Sequence, residues 1–232
     1  VENRPGGDGI VAINAFIGAN DDHILLFTPT GAYASHPFQH EKIPYDLNQL
    51  APIARVTNTI VAIGVPGSLG VNSIKELVAK IKAEPGKLNF AAATATNEFL
   101  FRGYLKEMGL NMPKVPYRDT VSAINDLGEN RIQAYVGAYA IMRPQIQSGR
   151  VKMLAVTNKQ RAKGAPDLQT VTEAGEPKLT FDGLVGIFGP TKMPKDLREK
   201  IAADVKETLA QPEILARLVQ TGQNVAPGGP AE

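Results

Sequence analysis

The sequence predicts an α/β fold, in which short apolar strands alternate with helices. Continuous apolar runs such as His23–Phe27 and Ile60–Pro66 are typical of strands covered on both faces. Between such runs, apolar residues recur at helical spacing, as at Ile10, Ile13 and Ile17. This alternation is the pattern of helices layered on a mostly parallel sheet.

Local signals set the predicted ends of each element. Ser73 and Glu76 form a capping box, and Pro85–Gly86 ends the helix that it opens. Pro194 and Pro212 each stand in the first turn of a helix. In chain order, the predicted helices are Ile10–Ile17, Ser73–Glu84, a helix from Asn97, Ser122–Leu127, Ile141–Gln147, Pro194–Ala210 and Pro212–Gly222. The predicted strands are His23–Phe27, Ala51–Val56, Ile60–Pro66, Leu88–Ala92, Val115–Tyr117, Ile132–Val136, Val151–Thr157 and Phe181–Phe188.

Composition excludes several function classes. The net charge of +2 is too small to argue for nucleic acid, and the basic residues are interspersed with acidic ones. There is no cysteine, which excludes disulfides, zinc thiolate sites and cysteine nucleophiles. No apolar run reaches the roughly 18 residues of a membrane-spanning helix.

The stretch Leu88–Leu105 is the first candidate binding site. An apolar run leads through small and hydroxyl residues, Ala92 and Thr94–Thr96, into the N-terminus of a helix. The first amides of a helix lack internal partners and favour an anion, and alanine and threonine leave room for one. We therefore predict that Ala92, Thr94, Ala95 and Thr96 bind a carboxylate; the alternative is an ordinary turn in which Thr96 caps the helix.

Two further strand ends carry similar residues. Thr28, Thr30 and Gly31 follow the strand His23–Phe27, and Ala138 and Tyr139 follow Ile132–Val136. Ligands of open α/β sheets lie beyond the carboxyl ends of strands, so these five residues are candidate ligand contacts. A polar turn is the alternative for Thr28 and Thr30.

The sequence contains neither a complete set of metal ligands nor a nucleotide-binding motif. His36 and His40 are four residues apart, but Pro37 lies between them and no third ligand is convincing. The loop Gly6–Gly9 matches neither the dinucleotide fingerprint nor the P-loop. We predict no metal and no cofactor.

No catalytic set emerges from the sequence. There is no Gly-x-Ser-x-Gly elbow and no His-Glu-x-x-His helix, and pairs such as Glu76 with Lys80 are best interpreted as solvated ion pairs. The strand ends consist of Thr, Ala, Gly and Tyr, which bind through hydrogen bonds and shape. These residues favour a receptor over an enzyme. An α/β transferase or hydrolase remains an alternative.

Seven segments, taken in order, resemble one known family. The segments are Val1–Gly6, Pro44–Asp46 with Leu50–Ala54, Pro85–Phe90, Val115–Tyr117, Ser148–Val151, Leu154–Thr157 and Thr170–Gly175. In this order they resemble the Bug family, the extracytoplasmic solute receptors of tripartite tricarboxylate transporters.

The resemblance implies a type II periplasmic binding protein. Such a protein has two α/β lobes joined by two crossing strands, with the ligand held in a cleft. We expect lobe 1 to contain residues 1–64 and 184–232, and lobe 2 to contain residues 65–183. The family further implies a periplasmic receptor that delivers a di-, tri- or aromatic carboxylate to membrane transporter subunits. We expect the receptor to be a monomer and to bind no nucleic acid.

The resemblance also bears on individual positions. One family carboxylate loop matches Ala92–Thr96, and Thr28 and Thr30 match small or hydroxyl positions of the first lobe. An aspartate of some members is replaced by Gly137 and Ala138, which argues against an amino-acid ligand. The other family carboxylate loop would precede Val1, so we expect the chain to lack an N-terminal strand and helix and a C-terminal end.

A cytosolic sensor or regulator of the same fold is the alternative function. It would bind a small effector without transport. A helix-turn-helix at the native N-terminus, in place of a secretory signal, would distinguish it from the receptor.

Overall fold

The chain leaves its first structural unit after Thr59 and returns to it at Gly183. A computed structural model describes residues 1–231. It divides into one unit made of Val1–Thr59 and the segment from Gly183, and a second unit made of Ile60–Asp182. The sequence predicts the two boundaries between residues 64 and 65 and between residues 183 and 184. The first boundary lies earlier in the structure because the strand Val61–Pro66 pairs with strands of the second unit.

Helices and strands alternate along most of residues 1–231. In chain order they are α1 (Ile10–Ala19), β1 (Leu26–Pro29), α2 (Thr30–Gln39), β2 (Leu50–Thr59), β3 (Val61–Pro66), α3 (Ile74–Ala83), β4 (Phe90–Ala92), α4 (Ala95–Glu107), α5 (Thr120–Gly128), β5 (Ala134–Ala138), α6 (Tyr139–Gln147), β6 (Val151–Val156), β7 (Gly183–Pro190), α7 (Lys195–Leu209), α8 (Pro212–Gln220) and β8 (Gln223–Gly228). Among these helices, none has the length and apolar character needed to cross a bilayer.

The first unit contains a sheet with the order β1-β7-β2-β8. Every strand pair in it is antiparallel. The prediction of a mostly parallel sheet is therefore wrong for this unit, because β7 lies between β1 and β2 and runs against both. The sequence also missed β8, and it missed α2, a helix that contains Pro37. Apolar side chains of α1, such as Ile13 and Phe16, pack against Leu26, Leu50 and Phe188.

The second unit contains a mixed sheet with the order β4-β5-β3-β6. β4 and β5 are parallel, whereas β3 is antiparallel to both β5 and β6. All residues of β3 are buried, as its continuous apolar sequence predicts. Residues of α3 and α4 belong to one apolar cluster, and residues of α5 and α6 belong to another. The parallel β4–β5 pair is the part of the sheet that positions the candidate site.

The predicted capping box of α3 is present. Ser73 Oγ accepts a hydrogen bond from the amide of Glu76 at 3.1 Å. The Glu76 carboxylate in turn accepts from the amide of Asn72 at 2.9 Å, one residue earlier than the ideal pattern. The bond from the Glu76 amide satisfies a main-chain donor that the first turn leaves open, so the helix begins where the sequence indicates.

A buried histidine joins three segments of the first unit. His36 of α2 is 0% exposed, and its Nδ1 is hydrogen-bonded to the hydroxyl of Tyr45. Its Nε2 lies 3.9 Å from Asp8 Oδ2 and has no hydrogen-bond partner among the described residues. Burial lowers the pKa of His36 below its ordinary value of 6.5, although the Asp8 carboxylate partly opposes that shift and His40 adds to it.

This buried histidine predicts a pH-dependent stability. The folded state holds His36 neutral at pH values where the unfolded chain already binds a proton. Stability is therefore complete above about pH 6.5 and falls as the pH decreases toward the lowered pKa. We expect the melting temperature to fall between about pH 6.5 and 5.5, and the fall to be smaller in His36→Gln, as measured by calorimetry. An equal fall in both proteins would contradict the assignment.

Candidate functional site

Two neighbouring strands of the second unit end side by side and each leads into a helix. β4 and β5 are parallel, with Ala92 opposite Val136. The amide of Ala93 continues this pairing by donating to Val136 O at 2.9 Å. α4 begins at Ala95 and α6 at Tyr139. Both helices therefore begin at the same edge of the sheet, one strand spacing of about 4.8 Å apart at the strand ends.

The beginning of α4 differs from the sequence prediction in its first residue and in its cap. The helix begins at Ala95 instead of Asn97, and Thr94, not Thr96, is its N-cap. Thr94 Oγ1 accepts from the amide of Asn97 at 3.2 Å. The amide of Ala95 remains at the open end of the helix, where it has no intrahelical partner. Thr94 therefore caps the helix, and the amide of Ala95 is left without a partner inside the helix.

The beginning of α6 has no side-chain cap. Its N-cap is Ala138, which carries no hydrogen-bonding group. The amide of Tyr139 donates to Ile60 O at 2.8 Å. The next two amides, of Ala140 and Ile141, point out of the helix end with no intrahelical partner. Sequence reasoning missed these two donors, although an alanine at the N-cap position was a signal for them.

The glycine at the end of β5 is required by packing. A Cβ atom on Gly137 would lie 2.6 Å from Tyr135 Cε1 and 2.9 Å from Ala93 Cβ. The strand end of β5 is therefore in close contact with the loop that follows β4. The glycine at this position allows the two helix starts to lie close together.

Charged side chains lie at the beginnings of both helices. The guanidinium of Arg143, half-buried on α6, lies 5.4 Å from the centre of the Tyr139 ring. Burial alone would raise the pKa of Glu98, but hydrogen bonds from Lys114 and Arg102 lower it overall. The one acidic side chain in the first turn of α4 is thus ionised and bound by two cations. Sequence reasoning also missed Arg143.

The remaining predicted contacts lie in the first unit. Thr28 is buried within β1. Thr30 is the first residue of α2, and its hydroxyl donates to Leu184 O at 3.1 Å. Gly31 follows it in the first turn. The structure thus assigns Thr28, Thr30 and Gly31 to one unit, and it brings Ala92, Thr94, Ala95, Thr96, Ala138 and Tyr139 together in the other.

A metal site finds no support in the described part of the chain. The rings of His36 and His40 are 5.6 Å apart. Within residues 1–231, no group of three or more His, Cys, Asp or Glu side chains is placed to hold a metal ion. The loop Gly6–Gly9 forms a short 3-10 turn that leads into α1.

The chain is similar to a known protein family and to solved structures of periplasmic binding proteins. A family model described as "Tripartite tricarboxylate transporter family receptor" matches residues 1–229. The periplasmic binding protein BugD is 26% identical, with a TM-score of 0.81 over 100% of this chain and 79% of that one.

Two further solved structures share the fold at lower identity. Rpa4515 of R. palustris, with adipate, is 20% identical, with a TM-score of 0.86 over 99% of this chain and 78% of that one. MatC from Rhodopseudomonas palustris, with bound malate, is 22% identical, with a TM-score of 0.78 over 95% of this chain and 76% of that one. The predicted α/β fold of a periplasmic binding protein is thereby confirmed.

The close packing at Gly137 predicts the effect of a methyl group there. We expect Gly137→Ala to lower the free energy of unfolding by about 1–3 kcal/mol, because the new Cβ collides with Tyr135 and Ala93. Gly103→Ala is the matched control, since Gly103 lies on α4 and, its own helix backbone aside, nothing stands within 4 Å of the place that a Cβ would take. The control should raise stability by about 0.5–1 kcal/mol. Urea denaturation measures the free energy of unfolding of both variants. Equal changes in the two variants would contradict the packing role of Gly137.

Proposed function

This chain belongs to the tripartite tricarboxylate transporter receptor family, and on that premise we propose that it captures a small organic carboxylate in the periplasm. The receptor delivers the acid to the membrane subunits of a tripartite tricarboxylate-type transporter. It binds its ligand without transforming it, because its strand ends carry hydrogen-bond donors and small residues instead of a nucleophile paired with a base.

The observation that carries this proposal is the pair of helix starts at the ends of β4 and β5. The amides of Ala95, Ala140 and Ile141 point out of two neighbouring helix ends. The aligned peptide dipoles of α4 and α6 add partial positive charge at the same edge. A carboxylate that accepts these amides is stabilised by both effects.

The class of acid follows from two further points. The adipate and malate of the structural neighbours are both dicarboxylates. A second carboxylate needs a positive partner, and the half-buried Arg143 guanidinium on α6 can form charge-assisted hydrogen bonds to it. Gly137 and Ala138 offer no carboxylate to an ammonium group, so an amino acid is disfavoured. We therefore propose a dicarboxylate ligand, with Thr28, Thr30 and Gly31 of the first unit as further candidate contacts.

Ligand binding should appear as thermal stabilisation. An acid that binds the folded state raises the melting temperature by roughly 5–10 °C at one hundred times its dissociation constant. We expect such a shift with at least one of the dicarboxylates succinate, malate and adipate, and a smaller shift or none with citrate and benzoate, measured by differential scanning fluorimetry. The absence of any shift at millimolar concentration would count against the proposal.

A negative charge at the start of α4 should abolish binding. In Ala95→Asp the new carboxylate occupies the end of the helix and repels the ligand, while the helix dipole tolerates it, so folding is kept. Ala79→Asp is the matched control, because it adds the same charge at an exposed position of α3. Isothermal titration calorimetry should detect binding only in the control; an unchanged affinity in Ala95→Asp would show that the site lies elsewhere.

A further inference from the structure

Asn158 is a buried polar residue that lies two positions after the end of β6. Only 1% of its surface is exposed. Buried amide groups are almost always hydrogen-bonded, so the contacts of this side chain show which segments it holds in place.

The Asn158 side chain extends the pairing of β6 with β3. The amide of Thr157 donates to Val61 O at 2.8 Å, as in a regular ladder. The next bond between the two segments is made by a side chain instead of a main-chain carbonyl. The amide of Val61 donates to Asn158 Oδ1 at 3.2 Å. Both main-chain polar groups of Val61 are therefore bound from the β6 side.

The same peptide group holds the beginning of α6 on its other side. The amide of Val61 and the carbonyl of Ile60 belong to one planar peptide unit, in which they point in opposite directions. Ile60 O accepts the amide of Tyr139 at 2.8 Å. A rotation of this peptide that weakens one of the two bonds therefore weakens the other.

A second side-chain contact sets the orientation of the Asn158 amide. Its Nδ2 donates to Asp182 Oδ1 at 3.4 Å, and the amide of Lys159 donates to the same oxygen at 3.2 Å. The carboxylate accepts only from the nitrogen end of the amide, which leaves Oδ1 directed at Val61. Asp182 thus supports the bond that Asn158 makes to β3.

We infer that Asn158 is a positioning residue for the candidate site, and that it acts through the Ile60–Val61 peptide on the first amide of α6. With Tyr139 held in this way, the amides of Ala140 and Ile141 keep the direction that the ligand requires. The part of the inference that concerns ligand affinity rests on the proposed function. The effect of Asn158 on α6 does not, because it is present in the ligand-free protein.

Amide hydrogen exchange followed by NMR tests the effect on α6 in the ligand-free protein. We expect Asn158→Ala to accelerate exchange of the Tyr139 amide by about tenfold or more relative to the amides of α3. Gln169→Ala is the matched control, because Gln169 Nε2 donates to Leu154 O of β6 at 3.2 Å and has no bond to β3. Equal acceleration in both variants, or none at Tyr139, would overturn the inference. Asn158→Ser, with a hydroxyl too short to reach both partners, replaces the alanine variant if that variant does not fold.

Swapping the side chains of Asn158 and Asp182 should restore the protection of the Tyr139 amide. In the double variant Asn158→Asp with Asp182→Asn, the new carboxylate can accept from Val61, and the new amide can both donate to it and accept from Lys159. We expect this variant to restore slow exchange at Tyr139. A folded double variant with fast exchange would contradict the proposed route.

Calorimetric titration then separates this inference from the proposed function. For the acid of the succinate, malate, adipate, citrate and benzoate panel that the wild-type chain binds most tightly, Asn158→Ala should weaken affinity by about 3- to 10-fold. Gln169→Ala should leave it unchanged. If the wild-type chain binds none of these acids, the proposed function fails, while the exchange data still decide the role of Asn158. If the wild-type chain binds and Asn158→Ala binds equally well, only the inference fails.

Discussion

The parallel pairing of β4 with β5 is the constraint on which the candidate site depends. Because Ala92 lies opposite Val136, the two strands end at the same level and their helices begin together. A shift of one residue in this register would reverse the faces of β4 and separate the two helix starts. Gly137 permits the close approach, since any side chain there would collide with Ala93 and Tyr135.

Electrostatics at this edge follow from the same arrangement. Two helix ends contribute partial positive charge at neighbouring positions, and the Arg143 guanidinium adds a full charge on α6. The carboxylate of Glu98 would oppose an anion at the start of α4. Its ion pairs with Lys114 and Arg102 compensate that negative charge. Within the described residues of this edge, the proposed carboxylate would therefore meet main-chain donors of two helix starts together with the Arg143 side chain.

Much of the second unit could be predicted from local sequence. Continuous apolar runs identified β3 and β6, and the capping box at Ser73 identified the start of α3. The first unit was predicted less well, since β8 and α2 were missed and its sheet is antiparallel throughout. Pro37 inside α2 contradicts the usual local rule, and only contacts such as the buried His36 explain why a helix forms there.

The sequence by itself determined the α/β class, the strand-to-helix turn at Ala92–Thr96 and the absence of cysteine chemistry, because these depend on residue type and local periodicity. Only the tertiary structure decided which helix ends lie together, that Thr94 caps α4 and that Asn158 contacts Val61. Residues 61 and 158 are far apart in the chain, and their contact depends on β3 passing between β5 and β6. Strand order and register arise from long-range pairing, which no local pattern records.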